Sequence, residues 1–406
     1  MRVFRKLLGR AKRTEVPPPE NIAPVLSFSD SLLNFKVTEH TPVSFSNSAR
    51  LLDEVQAASS SSTTTTVLSE DEAELIGIVK MASPLLDRQL SILGNYTCVG
   101  HIKHFPHVVV ARNTDTGAYV IIKSQEAKSP RREEVSYKSI HEAAITKLLS
   151  DCRLEGLAGQ RHIVAFVDHF ACFRTNVHLS VLEYCNGGSL FDFVKNYGKW
   201  PSFEVKVGLI RDFTCGLCYM HSLNVAHRDF KLDNMFLSFD ERQNRYIVKI
   251  GDFGFSTIAL EDSSYVRKTG SAHYAAPELL GRNFYNPMPA DVWAYGVAMF
   301  TMFECEYPFE ISDDAGNVVY GAIEIIINGL GERSFKNPDI NRHFGPLLNT
   351  ILQYNPDIRP TMDMVMISRA FKQEAVPLTR EVFRVFKDHH ESRLDNKKNA
   401  SVGRSH

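Results

Sequence analysis

The chain has 406 residues, enough for two or three domain-sized units or for one large domain with extensions. Apolar residues make up 44% of it and the formal net charge is −1, so the composition allows a sizeable core and does not indicate nucleic-acid binding. The seven cysteines follow no regular spacing, which argues against a disulfide framework and predicts an intracellular protein, cytoplasmic first and nuclear as the alternative.

The first 14 residues form a basic segment with six positive charges and no acidic residue. Its apolar residues would share one face of a helix, a pattern that also occurs in membrane-surface helices and transit peptides. We favour a basic tail in solvent and keep membrane contact as the alternative. Residues 15–90 are poor in regular hydrophobic pattern and carry a Ser/Thr tract at 59–66, so we predict that residues 1–90 form a largely disordered N-terminal extension.

Beyond residue 90 the hydrophobic pattern becomes regular, with strand-like runs first and helical patterns after them. This order predicts an α+β fold with a β-rich lobe at 91–183 and a larger, mostly helical lobe at 187–372. For residues 373–406 we expect a polar tail with one helical piece, Thr379–Phe386. The elements predicted in the first lobe are a hairpin across 108–122, a helix at 133–150 and strands at Ile163–Phe170 and Val177–Tyr184.

Segment 227–234, with the sequence HRDFKLDN, contains side chains that suit phosphoryl transfer. That reaction needs little covalent help, but the phosphates must be held, a metal placed and the attacking hydroxyl aligned. The Asp229 carboxylate is suited to accept the hydroxyl proton, and the Lys231 ammonium is suited to contact the transferring phosphate. The amide oxygen of Asn234 is suited to bind magnesium.

Three further residues extend this chemistry elsewhere in the chain. Asp252 begins a DFG tripeptide after a β-rich run and offers a carboxylate for a hard cation. Lys123 ends a predicted strand, and Glu142 follows in the predicted helix, where it is placed to pair with the lysine. The sequence therefore holds phosphate-binding, metal-binding and hydroxyl-aligning groups in one order along the chain.

Together these stretches resemble the eukaryotic protein kinase family, matching its strand-three lysine, catalytic-loop and metal-aspartate motifs. The resemblance extends to APE at 276–278, DVWAYG at 291–296 and RP at 359–360, and it covers residues 91–372. It implies a bilobal kinase fold, with ATP and Mg²⁺ as cofactors and proteins as substrates. The implied reaction transfers the γ-phosphate of ATP to Ser or Thr hydroxyls.

The resemblance also implies roles for single residues. Lys123 would contact the α- and β-phosphates and pair with Glu142. The implied catalytic residues are Asp229, Lys231, Lys123 and Glu142, and the implied metal ligands are Asn234 and Asp252. The implied nucleotide-binding positions are Lys123, Val108, Glu183, Cys185 and Phe236.

Two motifs indicate the kinase type. Lys231 is similar to the catalytic-loop lysine of Ser/Thr kinases, and residues 270–278 (GSAHYAAPE) are similar to the calmodulin-dependent and AMP-activated kinase-like group. In that group a hydroxyl at the position of Ser271 bridges to the catalytic loop. The resemblance further implies that Glu278 pairs with Arg359 and braces the helical lobe.

The glycine-rich loop of the family is degenerate in this chain. Its three glycine positions hold His101, Lys103 and Pro106, and the nearest glycine, Gly100, lies one place off. Glycines there let backbone N–H groups close over the phosphates, and proline donates no N–H.

Two alternatives follow from this departure. One is an active kinase in which Lys103 or a histidine supplies the charge that the loop amides no longer supply. The other is a pseudokinase scaffold with weak or absent nucleotide turnover. We predict the active kinase, because the residues whose loss would remove the chemistry are all present.

The sequence indicates regulation and substrate preference less specifically than it indicates the reaction. In the family an arginine such as Arg228, before the catalytic aspartate, often pairs with a phosphorylated residue of the activation segment, which here runs from Asp252 to Glu278. Thr269 is our preferred site for an upstream activating kinase, with an ordinary exposed loop residue as the alternative. Asp233 favours a basic residue in the substrate, but only weakly, because Ser189 replaces an acidic residue that basophilic relatives carry.

Overall fold

The computed structural model describes residues 79–80, 95–102, 105, 107–126, 132–151, 159–172, 177–259, 270–281, 285–311, 318–319, 321–330 and 334–402. These residues divide into a sheet unit, which includes 95–143 and 166–184, and a helical unit, which includes 144–165 and 185–402. The predicted basic segment 1–14, Lys103 and Thr269 lie outside the described residues, as does the predicted N-terminal extension apart from a short strand at 79–80.

The sheet unit is built on a six-stranded antiparallel sheet with the order β1-β2-β3-β4-β6-β5. Strands that follow each other in the chain are neighbours, except that β4 pairs with β6 and β5 lies at the edge. The strands are β1 (Val79–Lys80), β2 (Tyr96–Ile102), β3 (Val108–Asn113), β4 (Tyr119–Glu126), β5 (Phe166–Cys172) and β6 (Val177–Glu183).

Strands β3 and β4 form the predicted hairpin. Val109 pairs with Ile122, and both side chains are fully buried, as expected where alternate residues of a strand face the core. The turn between the strands is stabilised by the Asn113 side chain, which accepts the backbone N–H groups of Asp115 and Thr116. Short polar turn residues between two β-branched runs therefore set the register of this hairpin.

The helix predicted at 133–150 is α1, Arg132–Leu149. The two predicted strands that follow it are present with shifted bounds, since Ile163 is not part of β5. It forms an isolated bridge with Ile250 in the helical unit instead. The apolar run at 163–170 is thus divided between two units, which its hydrophobic pattern does not reveal.

The helical unit contains eight α-helices and four strands among its described residues. Strands β8 and β9 form one antiparallel pair, and β7 and β10 form another. The helices are α2 (Leu190–Tyr197), α3 (Phe203–Ser222), α4 (Pro277–Gly281), α5 (Pro287–Glu304), α6 (Ala322–Gly329), α7 (Pro338–Ile351), α8 (Met362–Met366) and α9 (Arg380–Val402). The strands are β7 (Val225–Ala226), β8 (Met235–Asp240), β9 (Arg245–Ile250) and β10 (Thr257–Ile258).

Helix α5 runs through the core of the helical unit. The Asn286 side chain caps its first turn by accepting the Met288 N–H, and Pro287 occupies the first helical position. Most of its residues are buried, because it is apolar on nearly every side. None of the helices in the described part of the chain combines the length and apolar character needed to cross a membrane.

A buried ion pair braces this core. Arg359 binds the Glu278 carboxylate with two parallel hydrogen bonds of 2.6 and 2.7 Å, and both side chains are almost fully buried. The guanidinium also lies 5.1 Å from the Trp293 ring centroid, in cation–π geometry. The structure thus brings together the two residues that the sequence paired, and it adds an aromatic partner from α5.

The C-terminal region differs from the polar tail that we expected. Its helix begins at Arg380 and continues to Val402, far beyond the predicted end at residue 386. Phe383 is 3% exposed, and its ring contacts those of Phe193 in α2 and Tyr246 in β9. The expectation failed because only one face of α9 is apolar, so the average composition of the segment hides its packing.

Candidate active site

In the sheet unit, an ion pair joins Lys123 of β4 to Glu142 of α1, with 2.8 Å between Nζ and Oε1. The Gln125 amide donates to the other oxygen of Glu142 at 2.9 Å. Glu142 is buried, and these two donors orient its carboxylate. The arrangement holds the lysine ammonium at a defined point beside the strand.

In the helical unit, the segment 227–234 follows β7 and is held by a buried carboxylate of α5. Asp291 accepts the backbone N–H of His227 at 2.6 Å and that of Arg228 at 2.8 Å. Arg228 has a φ of 65°, a left-handed conformation that costs an L-residue about 1–2 kcal/mol. The two hydrogen bonds to Asp291 help to hold the chain in this strained turn.

Asp229 lies at the centre of a hydrogen-bonded cluster. Lys231 Nζ is 2.7 Å from Asp229 Oδ2, and the Ser271 hydroxyl donates to Oδ1 at 3.1 Å. The Asn234 amide donates to the backbone oxygen of Asp229 at 2.9 Å and to Oδ2 at 3.1 Å. Lys231 also donates to the Ser271 hydroxyl at 2.8 Å. Donors from three side chains therefore orient the carboxylate.

The DFG tripeptide is packed beside the same segment. His227 Nε2 donates to the Gly251 carbonyl at 3.1 Å, which leaves Nδ1 to accept the Asp229 backbone N–H at 3.3 Å. The His227 ring contacts that of Phe253, with 5.5 Å between centroids. Asp252 has a φ of 61°, and the chain turns so that Phe253 is buried while Asp252 is exposed.

Gly270 allows the segment that carries Ser271 to approach residues 227–234, which we call the catalytic segment. Its φ is 105°, and a Cβ at this position would lie 2.9 Å from the Arg228 carbonyl oxygen. Both the conformation and the close approach require glycine. The hydrogen bond between Ser271 and Asp229 therefore depends on a residue with no side chain.

A neutral histidine follows Ser271 in the chain. The His273 ring stacks on that of Tyr307, with 4.1 Å between centroids. Burial lowers the pKa of His273 to about 4, so the ring carries no charge at neutral pH. Among the contacts described above, Lys231 is therefore the cationic side chain that contacts Asp229 directly.

The structure places the predicted nucleotide-binding residues in both units. Val108 begins β3, where it pairs with Lys123, and Glu183 ends β6; both are half-buried. In the helical unit, Cys185 is half-buried, and Phe236 in β8 forms an isolated bridge with Ser189.

At the degenerate loop, His101 is not in a turn. It lies in β2, is 7% exposed and pairs with Val109. Phe105, four residues on, is 53% exposed. Lys103 and Pro106 are outside the described residues, so the predicted contribution of Lys103 stays a prediction.

Several residues that support the site were not predicted from the sequence. Gln125 could have been found, because it lies two residues after Lys123 and thus on the same face of the strand. The role of Gly270 could have been suspected from its place beside Ser271. The contacts of Asp291 could not, because they join backbone groups more than 60 residues away.

In the helical unit, two side chains suit a magnesium ion, and in the sheet unit one side chain suits a phosphate. Asn234 offers an amide oxygen and Asp252 an exposed carboxylate, the hard ligands that Mg²⁺ accepts in small number beside phosphate oxygens and water. The Lys123 ammonium suits a phosphate. Within the described part of the chain, no group of three or more His, Cys, Asp or Glu side chains is arranged to hold a metal.

Three features define the protein kinase class. A strand lysine is paired with a helix glutamate, and the aspartate of the HRD tripeptide is bound by a lysine and an asparagine. A DFG turn buries its phenylalanine. The family model of the protein kinase domain matches residues 104–371. The chain therefore belongs to this family.

Curated relatives agree with the predicted Ser/Thr type and its calmodulin-dependent and AMP-activated kinase-like group. Serine/threonine-protein kinase SRK2H of Arabidopsis thaliana is 39% identical over 35% of this chain and 39% of its own length. SAPK7 of Oryza sativa is 34% identical over 46% of this chain and 51% of its own. GIN4 of Saccharomyces cerevisiae is 29% identical over 62% of this chain and 22% of its own. The matched regions thus span about half or less of each of these relatives.

Proposed function

We propose that the protein is a serine/threonine kinase that transfers the γ-phosphate of ATP to Ser or Thr hydroxyls of protein substrates. The observation that carries this proposal is the cluster around Asp229. Its carboxylate is oriented by donors from Lys231, Ser271 and Asn234, which is the preorganisation that phosphoryl transfer needs.

Each member of the cluster has one task in this reaction. ATP bound with Mg²⁺ supplies the transferable phosphoryl group. Asp229 orients the substrate hydroxyl and accepts its proton as the new P–O bond forms and the bond to the β-phosphate oxygen breaks. Lys231, 2.7 Å from Asp229, neutralises charge on the transferring group. Asn234 and Asp252 would hold the metal through their side-chain oxygens.

Lys123 serves the nucleotide rather than the hydroxyl. Its pairing with Glu142, which Gln125 also binds, keeps the ammonium placed to contact the α- and β-phosphates. We expect Lys103 to add charge near the phosphates in place of the missing glycines.

The substrate preference that we propose is a weak one for a basic residue near the phosphoacceptor. Asp233 is an exposed residue of the catalytic segment and offers the negative charge. Ser189, at the position where basophilic relatives carry an acid, instead caps helix α2 by accepting the Asp192 N–H at 3.1 Å. One exposed carboxylate gives less selectivity than two.

An upstream kinase acting on Thr269 remains part of the proposal. A phosphate on Thr269 would add about −1.5 to −2 charge to the activation segment. In family relatives, a phosphorylated residue of this segment often pairs with the arginine before the catalytic aspartate. If Thr269→Ala has the same activity as wild type after treatment with an activating extract, Thr269 is not the site.

The central test compares wild type with Asp229→Asn in a magnesium-dependent assay on a mixed Ser/Thr peptide library. We expect phosphorylation by wild type to fall by at least about a thousandfold in the variant, since proton acceptance and hydroxyl alignment are both lost. Asp339→Asn, at an exposed aspartate in α7, is the matched control and keeps full activity. Equal rates for wild type and Asp229→Asn would refute the proposal.

A pseudokinase scaffold is the second candidate, and the position of His101 in β2 is the observation that favours it. A buried strand histidine cannot do what a loop glycine does for phosphates. Nucleotide affinity measured beside the assay separates the two candidates. A scaffold would bind Mg·ATP weakly or not at all, and its signal would equal that of Asp229→Asn.

A further inference from the structure

We propose that Tyr285 is a positioning residue for the transfer reaction, holding Arg228 so that Asp229 is placed without a phosphate on the activation segment. The inference rests on the proposed kinase function. Arg228 Nε donates to the Tyr285 hydroxyl at 3.0 Å, and the guanidinium carbon lies 5.9 Å from the tyrosine ring centroid. The arginine therefore has an acceptor and an aromatic contact within the fold itself.

The position of the Tyr285 hydroxyl is set by burial. Tyr285 is 6% exposed and belongs to the core of the helical unit, directly before the cap of α5. A ring confined in this way offers its oxygen at one point, so little conformational entropy is lost when the arginine binds it. A phosphate on a loop would have to order that loop to provide the same contact.

The backbone carries this placement from Arg228 to Asp229. The left-handed φ of 65° at Arg228 is the turn that directs the next residue into its cluster, and such a conformation persists only where neighbours hold it. Asp291 holds the backbone side of Arg228 through its N–H at 2.8 Å. Tyr285 holds the side-chain end, and Arg228 Nη1 also donates to the Phe255 carbonyl at 3.3 Å.

Tyr285 and Asp229 also line one small cavity. Its volume is about 20 Å³, and Arg228, Gly270 and Ser271 contribute to its wall. This is room for about one water molecule, and Tyr285 and the catalytic segment line the same partly open space. A change at the tyrosine oxygen is therefore expected to reach the segment directly.

The inference is compatible with regulation at Thr269. A guanidinium carries five N–H donors, so Arg228 is able to bind a phosphate in addition to the tyrosine oxygen. On this view Tyr285 sustains basal turnover, and phosphorylation raises it further. The unphosphorylated enzyme is then active, and its activity depends on the tyrosine hydroxyl.

The test uses full-length protein treated with phosphatase and checked by mass spectrometry. Tyr285→Phe removes only the oxygen, and Tyr219→Phe is the matched control, because Tyr219 is a buried tyrosine whose hydroxyl donates to the Leu149 carbonyl at 2.9 Å. We expect kcat of Tyr285→Phe to fall about tenfold with KM for ATP unchanged, the loss of one hydrogen bond to a charged group. The control keeps kcat and shows a similar loss of melting temperature.

A double-mutant cycle with Arg228→Ala separates positioning from general destabilisation. If Tyr285 acts through the arginine, the double variant is no slower than Arg228→Ala alone. Additive losses, or an unchanged kcat in Tyr285→Phe, would overturn the inference.

Hydrogen exchange gives a readout that does not need turnover. Amides at 228–229 are expected to exchange faster in Tyr285→Phe and at the wild-type rate in Tyr219→Phe. Unchanged exchange at 228–229 contradicts the inference even if wild type proves inactive, whereas inactivity of wild type by itself bears on the proposed function.

Discussion

The catalytic segment of the helical unit and the strands β2–β4 of the sheet unit depart from the kinase pattern to very different degrees. In the first, Asp229 is bound by Lys231, Asn234 and Ser271, and the segment is held by Asp291. In the second, the lysine–glutamate pair is present, but a histidine buried in β2 stands where the family has a loop glycine.

The difference follows from what each region must do. The catalytic segment works through side-chain atoms at defined positions, so a lost carboxylate or amide has no substitute. A phosphate-covering loop works through backbone N–H groups and charge, which other donors nearby are able to supply. The contrast predicts a large response to changes around Asp229 and a small one to changes in the loop.

Apart from changes to Asp229 itself, the largest effect is expected for Asp291→Ala. It removes the acceptor of two backbone N–H groups in the catalytic segment, so the free energy of unfolding should fall by roughly 3 kcal/mol. We expect kcat to fall by at least about a hundredfold, because the strained turn at Arg228 loses its support. Denaturant unfolding measures the loss of stability, and the peptide assay measures the loss of kcat. Asp291→Asn keeps one acceptor oxygen, so its kcat and its free energy of unfolding should lie between those of wild type and Asp291→Ala. A fully active Asp291→Ala would show that Asp291 does not support the turn at Arg228.

Gly270→Ala tests the close approach behind the Ser271 contact. The new Cβ meets the Arg228 carbonyl oxygen at 2.9 Å, so the Ser271 hydrogen bond to Asp229 is displaced and kcat should fall about tenfold to a hundredfold. Gly188→Ala is the control, since Gly188 also has a positive φ, of 77°, but no atom within 4 Å of the added Cβ. Equal losses of kcat in the two variants would show that backbone strain alone is responsible.

The sheet unit is expected to be sensitive to acid. His169 and His178 contact each other, with 3.4 Å between Nε2 and Nδ1, and burial lowers the pKa of His169 to about 4. The unfolded histidine has a pKa of about 6.5, so between pH 6.5 and 4 the unfolded chain binds more protons and stability falls as the pH drops, by at most about 1.4 kcal/mol per pH unit. His169→Leu should flatten this slope in unfolding measurements at pH 7, 6 and 5. His389→Leu, at an exposed histidine, should leave the slope of stability against pH unchanged. An unchanged slope in His169→Leu would show that His169 is not the cause of the acid sensitivity.

The smallest effect is expected for Pro106→Gly, which restores one glycine of the family loop. A backbone N–H gained near the phosphates should lower KM for ATP about twofold to threefold and leave kcat unchanged. Lys103→Ala should act in the opposite direction if this lysine supplies charge to the phosphates. Identical KM values for wild type and both variants would mean that neither residue contributes to nucleotide binding.

Much of the fold and the site could be predicted because the relevant signals are local. Runs of β-branched residues on either side of a polar turn predicted β3 and β4, and residues 229, 231 and 234, which we predict to act in catalysis and metal binding, lie within one short segment. Supporting contacts between distant segments could not be predicted. Asp291 accepts hydrogen bonds from residues 63 and 64 positions earlier, and the length of α9 depends on packing that a polar average conceals.

The sequence by itself determined the family and the chemical groups, because side-chain identity at short spacing specifies which carboxylate, ammonium and amide are available. Only the tertiary structure decided how these groups are held. Arg228 meets the hydroxyl of Tyr285 across 57 positions of the chain, and Gly270 passes close to the Arg228 carbonyl. Hydrogen bonds and close contacts of this kind depend on ångström-scale distances that packing sets, and no periodicity of the sequence encodes them.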